Sequence, residues 1–328
     1  MKKFLSFFLI AVLLLCLVGC QDPDRGKLPK YALIVDESDT YQIALSRGFA
    51  TRAEAAGASC EIMYAKTAQE QSEFIKKALK KNVKAIALVP TDETSLKSAL
   101  TQADEAGIPV VSLFRPTDGA GFFINHADFE TIGKAVAEDL YKLSEASGQF
   151  AIIDTNLPAI SHRPWITALT EQLKDEKYAA LECVQTINCE DEKVLEEVET
   201  LLTTYPDLKV IYSAGSDYFA EICRLLEEKE SNVRVVGIAD PAKMKDLVGF
   251  GHACECFYLW DGEKIGADAF AVLKAMIDGK LDQNSTVFSP ELGVEYTITK
   301  DDFSVNTIYI PSVMKFSDEN IGHWGNIY

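Results

Sequence analysis

Catalytic signatures are missing from this chain. Its four histidines, His126, His162, His252 and His323, are far apart in sequence. No Gly-x-Ser-x-Gly elbow, His-Glu-x-x-His pair or Gly-x-x-x-x-Gly-Lys phosphate loop occurs, which removes the common signatures of hydrolases, zinc peptidases and nucleotide-dependent enzymes. Positive charge is also scarce. Lys and Arg total 32 against 50 Asp and Glu, a formal charge of -18, and no basic cluster interrupts it, so nucleic acid and anionic headgroups are disfavoured as partners. No helix-turn-helix precedes the first strand pattern. Phe4 to Val18, broken only by Ser6, is too short an apolar run for a permanent membrane helix.

What is present begins at the amino terminus. Met1, Lys2 and Lys3, the apolar run, then Gly19 and Cys20 have the layout of an export signal. Leu17-Val18-Gly19-Cys20 resembles the lipobox of bacterial lipoproteins, which implies cleavage after residue 19 and acylation of the Cys20 sulfur. The polar stretch Gln21 to Pro29 suits a tether. Loss of Lys2 and Lys3 takes the formal charge from -18 to -20. About 300 residues remain, more than one hydrophobic core usually serves, so two domains are expected.

Eight cysteines are present. Cys16 leaves with the signal and Cys20 is the anchor. Cys183 and Cys189 flank a short segment that allows pairing or two thiols. Cys254-Glu255-Cys256 is read as strand, with thiols on opposite faces and no further ligands visible, so no metal and no cofactor are expected.

From Tyr31 the apolar pattern alternates between strand and helix. Tyr31 to Val35 is a buried strand; Tyr41, Ala44, Leu45, Gly48, Phe49 and Ala53 recur at helical spacing until Gly57. Strands at Cys60 to Tyr64, Val83 to Val89 and Ile108 to Phe114 alternate with helices around Phe74 and Leu100. After Asp128 the cycle restarts, with strands at Phe150 to Ile153, Ala180 to Ile187, Leu208 to Tyr212 and Val233 to Ile238. Continuous apolar strands imply burial on both faces. The expected fold is therefore α/β, with two doubly wound parallel-sheet lobes and a cleft beyond the carboxyl ends of the strands.

Gly48 late in helix one, Gln71 opening helix two, the Ala85-to-Pro90 strand and turn, and Ala103-Asp104-Glu105-Ala106-Gly107-Ile108-Pro109-Val110-Val111 together resemble the type I periplasmic sugar-binding proteins. The resemblance runs from about Tyr31 to Tyr328. Phe123-Ile124-Asn125-His126 before Ile132-Gly133, Tyr205-Pro206-Asp207-Leu208-Lys209, Leu259-Trp260-Asp261 and the ending Phe316-Ser317-Asp318-Glu319-Asn320-Ile321 are closest to the branch binding rhamnose and the furanosyl autoinducer. The resemblance implies a hinge of three crossings, near Asn125 to Asp128, near Trp260 and near Gly293. Lobe 1 is then expected to take 30–126 plus 261–293. Lobe 2 takes 127–260 plus 294–328, with a terminal strand at Asn306 to Val313.

The same resemblance supplies the candidate site. Rigid hydrogen-bonding groups hold sugar hydroxyls and aromatic rings cover C–H faces, since both lose little entropy on binding. In lobe 1, Asp39, Tyr41 and Gln42 match the residues opening helix one, with helix capping by Asp39 as the alternative. Phe114-Arg115 stands where the family has Asp-Arg, so the fork-shaped donor is kept and the acceptor lost; a structural Arg115 paired across the hinge is the alternative. In lobe 2, His162 and Arg163 occupy the loop of a ligand-forking Arg, and Trp165 matches an aromatic of the autoinducer branch. That branch's Asp-Gln pair aligns on Ser161 and His162 and is absent, which argues against the autoinducer as ligand. Ser216 and Asp217 match an Asn-Asp pair, with capping by Asp217 as the alternative. Asp240 lies one residue beyond the family's Asp. Trp260 stands at the hinge crossing, as ligand contact or core.

The resemblance implies a lipid-anchored, extracytoplasmic solute-binding protein and no enzyme. It would capture a sugar-like molecule and deliver it to an ABC permease, touching the membrane through its lipid alone. Presentation of the closed form to a chemoreceptor or histidine kinase is the alternative.

Overall fold

An unbroken apolar run puts the first strand in the middle of a sheet. Tyr31 to Val35 of strand β1 (Lys30–Val35) are all buried, and β1 pairs in parallel with β2 (Ser59–Tyr64) on one side and β3 (Ile86–Leu88) on the other. The computed structural model describes residues 28–35, 40–92, 95–126, 129–155, 163–300 and 305–324. Strands β4 (Val110–Leu113) and β5 (Phe122–Asn125) continue the parallel sheet. Two helices, α2 (Ala68–Lys80) and α3 (Lys97–Glu105), cover one face through Ile75, Ala78 and Leu100. The other face is covered by α1 (Thr40–Ala55) and, from much later in the chain, a helix at Gly262–Ile277.

Those two helices meet backbone to backbone. A Cβ added at Gly48 would lie 1.9 Å from the Glu263 carbonyl oxygen, and one at Gly266 would lie 1.9 Å from that of Leu45. Only glycine permits this approach, and it brings Phe270 edge-on to Phe49 and Tyr31.

The second lobe opens with helix α4 (Phe129–Leu143) and strand β6 (Gly148–Thr155), followed by α5 (Arg163–Gln172) and β7 (Leu181–Cys189). Helix α6 (Val194–Thr204), β8 (Leu208–Ser213), α7 (Phe219–Glu228), β9 (Arg234–Gly237) and α8 (Pro241–Met244) complete its parallel part. The strand order is β7-β6-β8-β9. A bridge from Ile238 to Tyr258 joins it to β10 (Phe257–Trp260), after which α9 (Gly262–Ile277) returns to lobe 1. Gly133 of α4 mirrors Gly48: its Cβ would meet the Ala168 backbone of α5 at 2.7 Å.

The end of the chain departs from expectation. Strands β11 (Val287–Phe288), β12 (Tyr296–Lys300) and β13 (Asn306–Tyr309) extend the first sheet, in the order β11-β12-β13-β5-β4-β3-β1-β2. The strand at Asn306 thus belongs to lobe 1, paired in parallel with β5; only β14 (Val313–Phe316), antiparallel to β10, lies in lobe 2. The third crossing accordingly falls at 310–312 and not near Gly293. Strand β12 buries Tyr296 and Ile298 alone, a short alternating pattern that shows one covered face without naming the sheet that covers it. The three crossings are tied together: Ile310 N donates to Asn125 O at 2.9 Å and Asp261 N to Ser312 O at 2.8 Å.

Two buried carboxylates brace the ends. Asp139 accepts from Tyr258 Oη at 2.5 Å, Cys256 Sγ at 3.2 Å and Lys315 Nζ at 2.8 Å, joining α4 to β10 and β14. Asp268 accepts from Lys264 Nζ and Tyr296 Oη, both at 2.7 Å, joining α9 to β12. Burial, with Asp139 alongside, pushes the Cys256 thiol up to about 12.

For the cysteines, one open alternative closes and one expectation is corrected. Cys183 and Cys189 are free thiols. Cys183 and Cys189 stand at opposite ends of β7, roughly 20 Å apart at the usual strand rise, far beyond disulfide reach. Cys254 makes an isolated bridge to Val248 and Cys256 precedes β10, so Cys254-Glu255-Cys256 is not a strand.

Candidate ligand-binding cleft

At the hinge, the residues just beyond the carboxyl ends of β4 and β5 are Phe114 and His126. Strand β4 ends at Leu113, and the next residue, Phe114, has a backbone φ of +64°. Arg115 N donates to Leu113 O at 2.7 Å across it, closing a γ-turn of the strained hand. Strain of this kind persists only where surrounding structure enforces it. Here it turns the Phe114 ring toward Tyr41 of α1, at 5.7 Å between centroids, and edge-on to His126 at 4.6 Å.

From His126 the contacts cross into the other lobe. His126 meets Trp260 at 4.7 Å, Trp260 meets Trp165 at 5.1 Å, and Trp165 meets Phe129 at 5.9 Å. Trp165 is fixed by its indole N–H, which donates to Ala214 O beyond β8 at 3.0 Å. The ladder Tyr41-Phe114-His126-Trp260-Trp165-Phe129 therefore runs from helix one of lobe 1, over a hinge crossing, to the first two helices of lobe 2.

His126 is a site residue that the sequence reading missed. Its ring is half-buried overall, but Nδ1 is sealed from water and has no hydrogen-bond partner among the described residues. Burial pushes the imidazole down to about 3, so it is neutral at physiological pH. The unfolded chain protonates this histidine below about 6.5 while the folded chain refuses the proton until about 3, so stability present above 6.5 is lost as pH falls. Between pH 6.5 and 5.5 the expected loss is on the order of 1 kcal/mol. Urea midpoints should show it, and His126→Phe should remove it; an unchanged loss in that variant would locate the effect elsewhere.

The polar candidates are distributed around the ladder. Gln42 is buried beside Tyr41. Arg115 is exposed, and among the described residues its hydrogen bond is a long one, Nη1 to Thr91 O at 3.4 Å, with no described carboxylate paired to it across the hinge. Thr91 is itself held by Gln71, which is fully buried: Oε1 accepts from Thr91 N at 3.1 Å, and Nε2 donates to Val89 O at 2.7 Å. In lobe 2, Ser216 is half-buried and Asp217 exposed after β8. Helix α7 has Tyr218, not Asp217, at its N-cap position and no side-chain cap bond there. Asp240 does cap α8, accepting from Ala242 N at 2.9 Å. Trp260 is 5% exposed and Trp165 7%, so both serve the core as well as the cleft. Asp39 and His162 lie outside the described residues, as does the side chain of Arg163, whose backbone opens α5.

Open volume alone points elsewhere. A groove of about 580 Å³ lies between Leu143, Tyr205, Lys209 and Arg234, and another of about 300 Å³ lies beside Phe270 and Lys274. The first sits at the amino ends of β8 and β9, away from the ladder. Ligands of open α/β sheets bind beyond the carboxyl ends, which makes the ladder the candidate site. Among the described residues no group of three His, Cys, Asp or Glu is placed to hold a metal, and no helix is long and apolar enough to cross a membrane.

Residues 31–281 match the family model described as a periplasmic binding protein domain, and the chain belongs to that family. No curated protein matches it. Among solved structures it is similar to an ABC transporter solute-binding protein from Clostridium phytofermentas with bound L-rhamnose, at 26% identity, covering 92% of this chain and 99% of that one, with a TM-score of 0.72. A sugar ABC transporter protein from Actinomyces odontolyticus aligns at 21% identity over 93% of this chain and 99% of its own, TM-score 0.78. LsrB from Clostridium saccharobutylicum in complex with AI-2 aligns at 18% identity over 90% and 99%, TM-score 0.67. The chain is thus a two-lobed extracytoplasmic binding protein and not an enzyme.

Proposed function

We propose that this protein captures a sugar or sugar-like molecule between its lobes and delivers it to an ABC importer. The observation that carries this reading is the aromatic ladder at the strand ends, continuous from Tyr41 to Trp165 across the hinge. Stacked rings offer flat, stiff surfaces for the C–H face of a sugar ring. Arg115, Ser216 and Asp217 supply donors and acceptors from both lobes, and the resemblance adds Asp39, His162 and Arg163 as candidates. A ligand drives closure only through contacts that differ between the open and closed states, and residues on both walls meet that requirement. The relative with bound L-rhamnose supports a sugar ligand.

A thermal-shift panel of pentoses, deoxyhexoses, polyols and phosphorylated or acidic sugars tests the reading. At a hundred times its dissociation constant the right ligand stabilises the protein by about 2.7 kcal/mol and is recovered unchanged. No shift from any class would overturn a sugar as ligand.

The proposal includes lipid attachment through Cys20, with residues 1–19 removed and 20–29 as the tether. Cys20→Ser should move the protein from the membrane fraction to the soluble fraction; continued membrane attachment would count against acylation.

A further inference from the structure

His126 is the first residue beyond the carboxyl end of β5 and stands midway along the ladder. Phe114 and Trp260 flank its imidazole edge-on, with centroids at 4.6 and 4.7 Å and interplanar angles of 87° and 78°. Both neighbours are braced in turn, Phe114 against Tyr41 and Trp260 against Trp165. Packing of these rings sets the direction in which the imidazole points.

Its two nitrogens are placed differently. Nδ1 is sealed from water and has no hydrogen-bond partner among the described residues, whereas Nε2 is not among the sealed atoms. The ring as a whole is half-buried, so its open edge is the one that carries Nε2. A neutral imidazole has one N–H and one bare lone pair. For backbone groups, a buried N–H without an acceptor is rarer than an under-used acceptor, and the same cost puts the proton on Nε2. A second proton would seal a charged N–H with nothing to accept it, so the ring stays neutral. His126 therefore presents a single N–H donor beyond the carboxyl end of a strand, where ligands of open sheets sit.

We propose that the Nε2–H of His126 donates to the ring oxygen of a cyclic sugar held in the cleft, and so selects closed-ring sugars over their open-chain polyols. The assignment rests on capture of a sugar-like molecule between the lobes. Its chemistry follows from what surrounds the donor. Aromatic rings lie on either side, so a hydroxyl placed there would accept from Nε2 but turn its own O–H toward a ring. An O–H left without an acceptor in apolar surroundings is penalised. A ring oxygen has lone pairs and no hydrogen, and the C–H groups beside it suit aromatic neighbours. One side chain thereby reads the feature that ring closure creates.

The test uses the full-length protein and His126→Phe, which keeps a ring between Phe114 and Trp260. Calorimetry compares D-xylose, L-rhamnose, L-fucose and D-glucose, each beside its ring-thio analogue, in which sulfur, a weak acceptor, replaces the ring oxygen. For each sugar that binds, the wild type should hold the thio analogue about tenfold or more weakly, and His126→Phe should hold the two alike within about threefold. If that variant does not fold, the nitrogen resonance of His126 Nε2 in labelled wild type decides: the sugar should displace it and the thio analogue should not. An equal loss on the oxygen-to-sulfur change in wild type and variant, or unweakened binding of the thio analogues by the wild type, overturns the assignment and leaves sugar capture standing. Failure of all four sugars while another member of the thermal-shift panel binds overturns it as well, and failure of the whole panel takes the capture reading with it.

Discussion

Gly266→Val is expected to prevent the first lobe from folding or to lower its melting temperature by more than about 10 °C. The new Cβ would stand 1.9 Å from Leu45 O, 2.8 Å from Leu45 C and 2.9 Å from Phe49 N. All three are backbone atoms, so no rotamer change relieves the clash and the two helices must separate. Separation exposes Phe49 and Phe270, each 1% exposed or less, and cavity and strain costs add to the lost burial. Gly57→Ala is the control. Its φ is +68° but nothing lies within 4 Å of the added atom, so the cost is roughly 1 kcal/mol of backbone strain. Similar melting temperatures for the two variants would show that the helix contact does not hold lobe 1 together.

Trp165→Ala carries the largest expected effect on binding. The ring links Trp260 at the hinge to Phe129 of lobe 2 and is held by the hydrogen bond to Ala214 O. Anchors of this kind typically contribute about 2 kcal/mol or more when truncated, so affinity for the sugar identified by the thermal-shift panel should fall at least about thirtyfold by calorimetry. The free protein also loses stability, because the ring is nearly buried. Trp165→Phe keeps a ring against Trp260 while losing the indole N–H, and should lose less affinity. A folded Trp165→Ala protein with wild-type affinity would remove the ladder from the site.

The elements most legible in the sequence were those whose burial is two-sided. Leu33, Ile34 and Val35, or Val110 to Leu113, are apolar at every position, so strand and parallel sheet follow from the run itself. Strand β5 at Phe122–Asn125 is equally buried, yet it is only four residues long and was not read as a strand; its last residue, Asn125, opens the expected hinge crossing. Strand β12 alternates, and the parallel pairing of β13 with β5 spans the whole second lobe, which no local pattern encodes. At the candidate site, Tyr41, Phe114, Trp165 and Trp260 were named through the family resemblance, and the structure brings them together. His126 was not, since one histidine after an apolar run carries no signal until Phe114 and Trp260 are seen on either side. Whether Asp217 or Asp240 caps a helix depends on a backbone N–H that composition does not reveal: Asp240 caps α8, and Tyr218, not Asp217, holds the N-cap position of α7.

The late return of β13 sets an order on assembly. Its partner β5 is laid down near residue 122, but Asn306 to Tyr309 arrive only after all of β6 to β10. An exported chain emerges amino end first, so the amino-terminal half must wait with an open sheet edge while the rest is threaded through. Contacts of such sequence separation slow folding and leave unpaired edges exposed to neighbours. Maturation of this protein is therefore governed by its tail: a chain cut before Asn306 would present β5 as a bare template for association with a second molecule.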